Sequence, residues 1–434
     1  MPDAPQPSAP APSSSSSPSP APPAHDARRF ARYLLGRAAS SLSFQMLSVA
    51  VGWQIYHLTG SAYALGLVGL AQFLPMVCLT LVVGHVADRF DRRRIVAVCM
   101  GIESLAAFGL AAVVAVSLAG ALSASFAVPA VYALIIVNGA ARAFEAPTSA
   151  TLVPALTPRE GLQRATAWST SANQTAQILG PALGGVCYAI APTFAFALAA
   201  VLFAIGAVLI GRLTLARRVV SRTPVTLASV FSGVSFIRSQ PVVLGTLSLD
   251  LFAVLLGGAT ALMPIFARDI LAVGPWGLGV MRSAPAVGAL AMSVWLGRRP
   301  LSGPIGRILF GALILFGLAT VVFAFSRSLP LTVAALVVLG AADSISVVVR
   351  ITLVQLLTPD EMLGRVSAVN TLFVGTSNQL GEFESGVTAG LFGTVAATAM
   401  GGVGTILVSL LWMRLFPQLR DMRSLDGSGP EARR

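Results

Sequence analysis

The chain has 434 residues, of which 55% are hydrophobic and only 11% are charged. A soluble domain carries about 25% charged residues, so this composition excludes a folded body covered by water and indicates a membrane protein. All 29 basic residues are arginine and the formal net charge is +12, but the arginines separate hydrophobic blocks and do not cluster beside aromatic residues, which argues against a nucleic-acid partner.

The first segment, residues 1–27, consists mostly of Pro, Ala and Ser. This composition buries too little apolar area to offset the entropy of ordering, and it predicts a disordered cytoplasmic tail. The segment has neither the cationic start nor the short apolar core of a secretory signal, so we expect no cleavage.

Twelve predominantly apolar blocks follow, each long enough to cross about 30 Å of hydrocarbon as a helix. They predict an all-α membrane protein with two pseudo-symmetric halves of six transmembrane helices. The N-terminal bundle covers 28–215, a cytoplasmic loop covers 216–241, the C-terminal bundle covers 242–416, and a cytoplasmic tail covers 417–434. The blocks lie at 33–58, 63–84, 95–118, 128–153, 164–191, 193–215, 242–266, 276–297, 308–326, 331–356, 366–393 and 396–416.

The arginines are divided unequally between the two sets of loops. One side holds nearly all of them, whereas the other side holds only Arg268 and Arg327. Because short cytoplasmic loops retain positive charge, this bias predicts that both termini are cytoplasmic. We therefore expect a multi-pass protein of the bacterial inner (plasma) membrane, with the lipid bilayer as its solvent.

An internal duplication relates the two halves by a shift of 201 positions. Residues 151–164 match residues 352–365 at nine positions, among them a shared Leu-Thr-Pro followed by Glu. A repeat of six helices keeps the same membrane orientation in both copies, which is one arrangement of secondary transporters, with the substrate path between the halves. Any duplicated membrane bundle would also show such a repeat. The same shift places Gly180, Gly185 and Pro181 on Gly381, Gly386 and Glu382.

Two motifs carry a family resemblance. Between the second and third blocks the sequence reads Gly84-His-Val-Ala-Asp88-Arg-Phe-Asp91-Arg92-Arg93-Arg94. This resembles the signature loop of the major facilitator superfamily, with Asp91 in place of the second glycine. The fifth block contains Gly180-Pro181-Ala-Leu-Gly184-Gly185, which resembles the glycine-proline motif of the exporter branch.

Two further segments narrow the resemblance. They are Glu145-Ala-Pro147 and the Leu-Thr-Pro-Arg-Glu loop at 156–160, and with them the chain most resembles the enterobactin-exporter-like subgroup. The resemblance implies a monomeric secondary active transporter that exports a small amphiphilic molecule, with protons as the coupling ion. It favours a siderophore such as an enterobactin-like catecholate, and a multidrug or antibiotic efflux carrier is the alternative.

Other functional classes find less support in the residues. A channel also needs polar positions in an apolar bundle, but the repeat, the signature loop and the lack of a carbonyl-lined filter sequence favour a carrier. A non-transporting receptor is disfavoured because Gly84, Asp88 and Arg92 are present. No hydrolase or nucleotide-binding motif occurs. Without such motifs we expect no enzyme and no cofactor. Cys78 and the other two cysteines are isolated, so we expect no metal site.

The signature loop predicts a gate on the cytoplasmic side. An acid at the end of a helix beside a basic turn can pair with arginine and with the positive end of a helix dipole. We expect Asp88, four residues after Gly84, to pair with Arg92, and Glu145 to extend the network up to the start of the eleventh block. Arg93 either joins this gate or only fixes the topology.

The small residues of the fifth block predict a helix-packing pivot. Gly180, Gly184 and Gly185 permit close approach of another helix, and Pro181 bends the helix that carries them. We expect this surface to face its repeat mate in the eleventh block. Tight packing without any gating role is the alternative.

Charges inside the bilayer cost about 2.5–3.5 kcal/mol each on insertion scales and tend to mark pathways or pairs. Arg142 and Asp343 occupy equivalent repeat positions, so they either face one another across the cavity or find separate local partners. Asp343, Glu382 and Glu384 are the favoured proton carriers, because a buried carboxylate can hold a proton at working pH. The charges within the blocks are Glu103, Arg142, Glu145, Asp250, Arg282, Asp343, Arg350, Glu382 and Glu384.

Overall fold

The computed structural model describes residues 24–158, 161–214, 227–299, 301 and 303–422, which form helices and no strands. Of the predicted tails and central loop, residues 1–23, 216–226 and 423–434 lie outside the described residues. Residues 24–27 begin the first helix. The first half contains α1 (Ala24–Thr59), α2 (Ala62–Arg89), α3 (Arg92–Leu118), α4 (Ala124–Ala150), α5 (Leu152–Leu156), α6 (Leu162–Ile190) and α7 (Pro192–Gly211).

The second half begins with α8 (Leu227–Ser239) and α9 (Pro241–Leu256). A 3-10 turn (Ala259–Leu262), the short α10 (Met263–Ile265) and a π turn (Phe266–Ile270) continue α9. The remaining helices are α11 (Gly274–Arg298), α12 (Ile305–Phe325), α13 (Leu329–Leu357), α14 (Asp360–Phe392), α15 (Thr394–Leu415) and α16 (Pro417–Arg420).

Within the described part of the chain, ten helical segments are long and apolar enough to cross a membrane. One of them runs from Pro241 to Ile270 through α9, α10 and the π turn. The predicted fifth and eleventh crossings correspond to α6 and α14, which have 29 and 33 residues but carry more amides and hydroxyls. The prediction of an all-α membrane fold is confirmed, and its count of twelve crossings depends on these two more polar helices.

Side-chain capping explains how the signature loop folds. Asp91 has an extended backbone and accepts a 3.0 Å hydrogen bond from the backbone N–H of Arg93, so it caps the start of α3. Aspartate is among the preferred N-cap residues, and its carboxylate suits the positive end of the helix dipole. The departure from the family pattern at Asp91 therefore provides a cap for α3.

The helix pairs show the same duplication as the sequence. In the first half α3 packs against α4 and α7, and α1 packs against α6. In the second half α12 packs against α13 and α15, and α9 packs against α14. The two halves are therefore built on one packing plan, as the 201-residue shift predicts.

The main contacts between the halves pair α6 with α11 and α2 with α14. A Cβ added at Gly185 of α6 would lie 2.9 Å from the Cα of Gly279 in α11. At the equivalent place in the other half, a Cβ on Gly386 would lie 2.5 Å from the Cα of Gly66 in α2. The expectation that the α6 glycines face their repeat mate in α14 is thus wrong. Gly185 packs on α11, and Gly180 and Gly184 pack on α1.

The two ends of the bundle differ. We call the end formed by the start of α3 and the end of α7 the arginine-rich end; there the guanidinium of Arg93 donates to the carbonyl of Leu213. At the opposite end, one hydrophobic cluster joins both halves and includes Trp53, Phe196, Phe266 and Phe323.

The hydrophobic clusters at the arginine-rich end each stay within one half. One surrounds Tyr33 and Met100 in the first half, and another surrounds Leu249 and Phe310 in the second. The exposure of α6 follows the same gradient, since it is mostly exposed over 163–171 and mostly buried over 180–188. The described halves therefore close together at the opposite end and separate toward the arginine-rich end.

Candidate functional site

A charged pair lies where the two halves meet. The guanidinium of Arg282 in α11 donates a 3.0 Å hydrogen bond to the hydroxyl of Ser48 in α1, and it interacts electrostatically with Glu382 of α14. A Cβ added at Gly69 of α2 would lie 2.9 Å from the Cβ of Glu382. We call Ser48, Gly69, Arg282 and Glu382 the central cluster, and both halves contribute to it.

The depth of the central cluster is given by helix geometry. Its members lie seven to eleven residues from the opposite ends of their helices, which corresponds to about 10–16 Å at 1.5 Å per residue. That depth is near the middle of a hydrocarbon layer of about 30 Å. A substrate entering from the arginine-rich end would therefore meet these charges about halfway through the bilayer.

A pocket in the first half adjoins the central cluster. It lies between α1, α2, α3 and α4 and shares Ser48 with the cluster. The pocket combines apolar walls with two amides, Gln72 and Asn138, and the side-chain nitrogen of Asn138 is buried without a hydrogen-bond partner among the described residues. Its apolar lining is Phe44, Leu47, Val51, Leu110 and Ile135.

A second charged group lies toward the arginine-rich end of the first half. Arg142 and Glu145 of α4 form a 2.8 Å ion pair, and Arg37 of α1 approaches Glu145 to 3.8 Å. Arg142 also donates a 3.3 Å hydrogen bond to Ser40 and stacks over the ring of Phe44 at 4.4 Å. Glu145, whose side chain is 1% exposed, thus has its described partners in α1 and α4.

The second half holds a corresponding acidic and basic group. Asp250 of α9 and Arg350 of α13 form a buried ion pair. Asp343, two turns before Arg350 on α13, interacts electrostatically with both members of the pair. Arg142 and Asp343 therefore each have local partners, which agrees with the second of the two alternatives drawn from the sequence.

The predicted gate is only partly within the described region. Gly84 and Asp88 belong to the last turns of α2, but the side chain of Asp88 lies outside what the structure describes. Arg92 begins α3, and Arg93 contacts the carboxylate of Asp91 at 3.4 Å. The pairing of Asp88 with Arg92 stays a prediction.

The predicted pivot residues pack closely on α1 as well as on α11. A Cβ added at Gly180 would lie 2.5 Å from the Cβ of Gln45, and one added at Gly184 would lie 2.8 Å from the Cα of Met46. Pro181 lies between them inside α6 and is buried. These residues bring α1 and α6 together, and Gly185 carries the contact to the other half.

The remaining candidate acid, Glu384, is satisfied within its own helix. Its carboxylate accepts a 2.6 Å hydrogen bond from the hydroxyl of Thr388 one turn later. Glu382, in contrast, interacts electrostatically with Arg282 of the neighbouring helix α11.

A further inter-half contact, at the opposite end, was also not predicted from the sequence. The hydroxyl of Tyr56 in α1 donates to the carboxylate of Asp269 in the π turn. Arg268 donates a 3.1 Å hydrogen bond to the carbonyl of Tyr56, and its guanidinium lies 5.4 Å from the Tyr56 ring centre. We call these three residues the Tyr56 latch. The only available signal was an arginine beside an acid on the otherwise arginine-poor side.

Loss of the Tyr56 latch is expected to loosen the opposite end. A hydrogen bond to a charged group is worth about 1.5–3 kcal/mol, so Tyr56→Phe should increase opening of that end about 10-fold. The measurement is the labelling rate of a cysteine placed at the buried Leu65, in a background lacking the native cysteines, by a membrane-impermeant maleimide. Tyr63→Phe is the control, because Tyr63 makes no side-chain hydrogen bond among the described residues, and equal rates in both variants would contradict a latch.

Comparisons with known proteins agree with this architecture. The Major Facilitator Superfamily model matches residues 33–381. The enterobactin exporter of Citrobacter koseri is 26% identical over 413 residues, covering 91% of this chain and 93% of that protein. The enterobactin exporter of Escherichia coli O9:H4 is 25% identical over 403 residues, with 91% and 93% covered.

Solved structures show the same fold at lower identity. A nucleoside transporter superposes with a TM-score of 0.70 at 13% identity, over 89% of this chain and 100% of that one. A bacterial homologue of the iron transporter ferroportin in an inward-facing state gives 0.68 at 17% identity, over 89% and 98%. With a family match over most of its length and a duplicated bundle of membrane helices, the chain belongs to the Major Facilitator Superfamily of transporters.

Proposed function

We propose that this protein is a proton-coupled exporter of a catecholate siderophore, or of a molecule with similar amphiphilic chemistry, across the bacterial inner membrane. The observation that carries the proposal is the central cluster. There Arg282 and Glu382 of the second half lie against Ser48 and Gly69 of the first half, where the space between the halves ends. Charges at such a depth mark substrate or ion pathways in membrane proteins. The names of the enterobactin exporters that the chain resembles supply the substrate class.

The proposed orientation places both termini and the arginine-rich end in the cytoplasm, with α6 and α14 completing twelve crossings. In that orientation the conformation seen here is inward-facing, because its separated end is the cytoplasmic one. It is supported by the single hydrophobic cluster at the opposite end and by the separate clusters at the arginine-rich end. Export then requires the opposite end to open and the arginine-rich end to close.

The central cluster suits an anionic or hydrogen-bonding substrate group. Arg282 has five N–H donors, of which one reaches Ser48, and its Nε is buried without a partner among the described residues. Glu382 provides the compensating charge while no substrate is bound. The apolar side chains beside the cluster, with Phe44 and Leu110, suit an amphiphilic substrate better than a fully polar one.

The apolar pocket wall also favours the second candidate, export of aromatic drugs. Deletion of the gene, with complementation, separates the two candidates. We expect the deletion strain to retain catecholate siderophore in its cytoplasm and to secrete less of it. Normal siderophore secretion together with increased sensitivity to drugs would replace the first candidate by the second.

Removal of the central charge is expected to stop export. Arg282→Gln leaves the half-buried Glu382 without its opposite charge and removes the guanidinium offered to the substrate, so transport should fall more than about 10-fold. The measurement is catecholate transport into everted vesicles with matched amounts of protein in the membrane. Arg327→Gln, at an exposed arginine of the opposite end, should transport normally, and unchanged transport by Arg282→Gln would exclude a role for the central cluster.

A further inference from the structure

One acid of the first half is buried more deeply than the acids that the sequence favoured as proton carriers. Glu103 of α3 is 0% exposed, and neither of its carboxyl oxygens has a hydrogen-bond partner among the described residues. Glu145 is almost equally buried but has two arginines near it. The two acids therefore lie in one half but differ completely in how their charge is compensated.

The surroundings of Glu103 contain few charged groups. The helices that chiefly pack on α3 are α4 and α7, and α7 has no titratable side chain. From α4, Glu145 and Arg142 interact electrostatically with Glu103, and Cys99 lies one turn before it on α3 itself. Arg142, the cation that interacts with Glu103, is already engaged by Glu145 at 2.8 Å.

We infer that Glu103 is a proton-binding site of the first half, occupied by a proton in this conformation, with Glu145 and Arg142 as the paired charges beside it. A bare carboxylate without donors in an apolar interior is far less stable than the neutral acid. Loss of the proton becomes favourable only when Arg142 is shared between the two carboxylates, so a rearrangement around Arg142 would release it. This inference rests on the proposed proton coupling and assigns it a site.

The small pocket beside the central cluster is lined by the same two helices, α3 and α4, that carry Glu103 and its charged neighbours. Leu110 lines that pocket and lies seven residues, or about 10 Å, from Glu103 along α3. On α4, Asn138 also lines the pocket and lies one turn before Arg142. Asn138, whose side-chain nitrogen has no hydrogen-bond partner among the described residues, therefore connects this pocket with the turn of α4 that precedes Arg142.

The difference between Glu103 and Glu145 can be tested without any substrate. Because a neutral Glu103 has no ion pair to lose, Glu103→Gln should leave the midpoint of thermal unfolding of the detergent-purified protein unchanged. Glu145→Gln removes the partner of Arg142 and should lower that midpoint. Infrared difference spectra of wild-type protein and Glu103→Gln should then show loss of a protonated carboxyl band at neutral pH; a retained band would overturn the assignment.

A transport experiment separates this inference from the proposed function. Glu103→Gln should reduce accumulation of catecholate driven by a proton gradient by about 10-fold or more. It should keep the exchange of labelled for unlabelled catecholate, because exchange needs no net proton movement. Gradient-driven transport at the wild-type level would overturn the role of Glu103. Absence of catecholate transport by the wild-type protein itself would refute the proposed function, and the infrared result would still decide whether Glu103 holds a proton. Asp421→Asn, at an exposed acid after the last membrane helix, is the control and should keep gradient-driven accumulation.

Discussion

Gly185→Ala is expected to reduce transport by about 10-fold or more while the protein still inserts in the membrane. The added Cβ would lie 2.5 Å from the carbonyl oxygen of Pro275 and 2.9 Å from the Cα of Gly279. Both are backbone atoms, so no side chain can move aside, and α6 and α11 must separate. The opposite end would then close incompletely, which should appear as faster maleimide labelling of a cysteine placed at Leu65.

A matched control exists for this substitution. A Cβ added at Gly101 of α3 meets no atom within 4 Å, and alanine is the better helix former by about 0.8–1 kcal/mol. Gly101→Ala should therefore transport normally and be at least as stable as the wild type. Gly386→Ala should reproduce the defect of Gly185→Ala from the other half. Normal transport by both Gly185→Ala and Gly386→Ala would show that these crossings do not limit the transport cycle.

Arg350→Met is expected to destabilise the second half by about 3–5 kcal/mol, the usual effect of removing one member of a buried ion pair. Asp250, whose side chain is 5% exposed, would remain as a buried carboxylate with Asp343 nearby. The measurement is the fraction of protein that stays monodisperse in detergent after heating. Arg420→Met, in an exposed pair with Asp421, should behave like the wild type.

The double variant identifies the cause. If the uncompensated charge is responsible, Asp250→Asn combined with Arg350→Met should recover most of the lost stability, since no charge is then left without a partner. A double variant as unstable as Arg350→Met alone would instead indicate that the packing of the arginine side chain matters more than its charge.

The fold was largely predictable because the properties that define it can be recognised in the sequence itself. Apolar length marks the membrane helices, and the 201-residue shift marks the two halves. The choice of partners across the halves was not predictable in this way. The shift relates Gly185 to Gly386, but it does not say that these residues contact Gly279 and Gly66, because periodicity does not specify how each helix is rotated.

The candidate site shows the same limit. The sequence identified the charges of the bilayer region but could not distinguish a paired acid such as Glu145 from an unpartnered one such as Glu103. That distinction depends on which side chains of other helices lie within a few ångströms. The Tyr56 latch joins residues more than 200 positions apart, and a lone Arg268-Asp269 pair in a loop did not reveal its partner.

The hydrophobic cluster that joins the halves at the opposite end, around Trp53, Phe266 and Phe323, has a thermodynamic consequence. Opening that end exposes apolar side chains to a water-filled cleft, so the opening reaction has a positive heat capacity change. Hydrophobic association weakens on cooling. The balance between the two conformations must therefore vary with temperature in a curved manner, and cold conditions favour the state in which the opposite end is open.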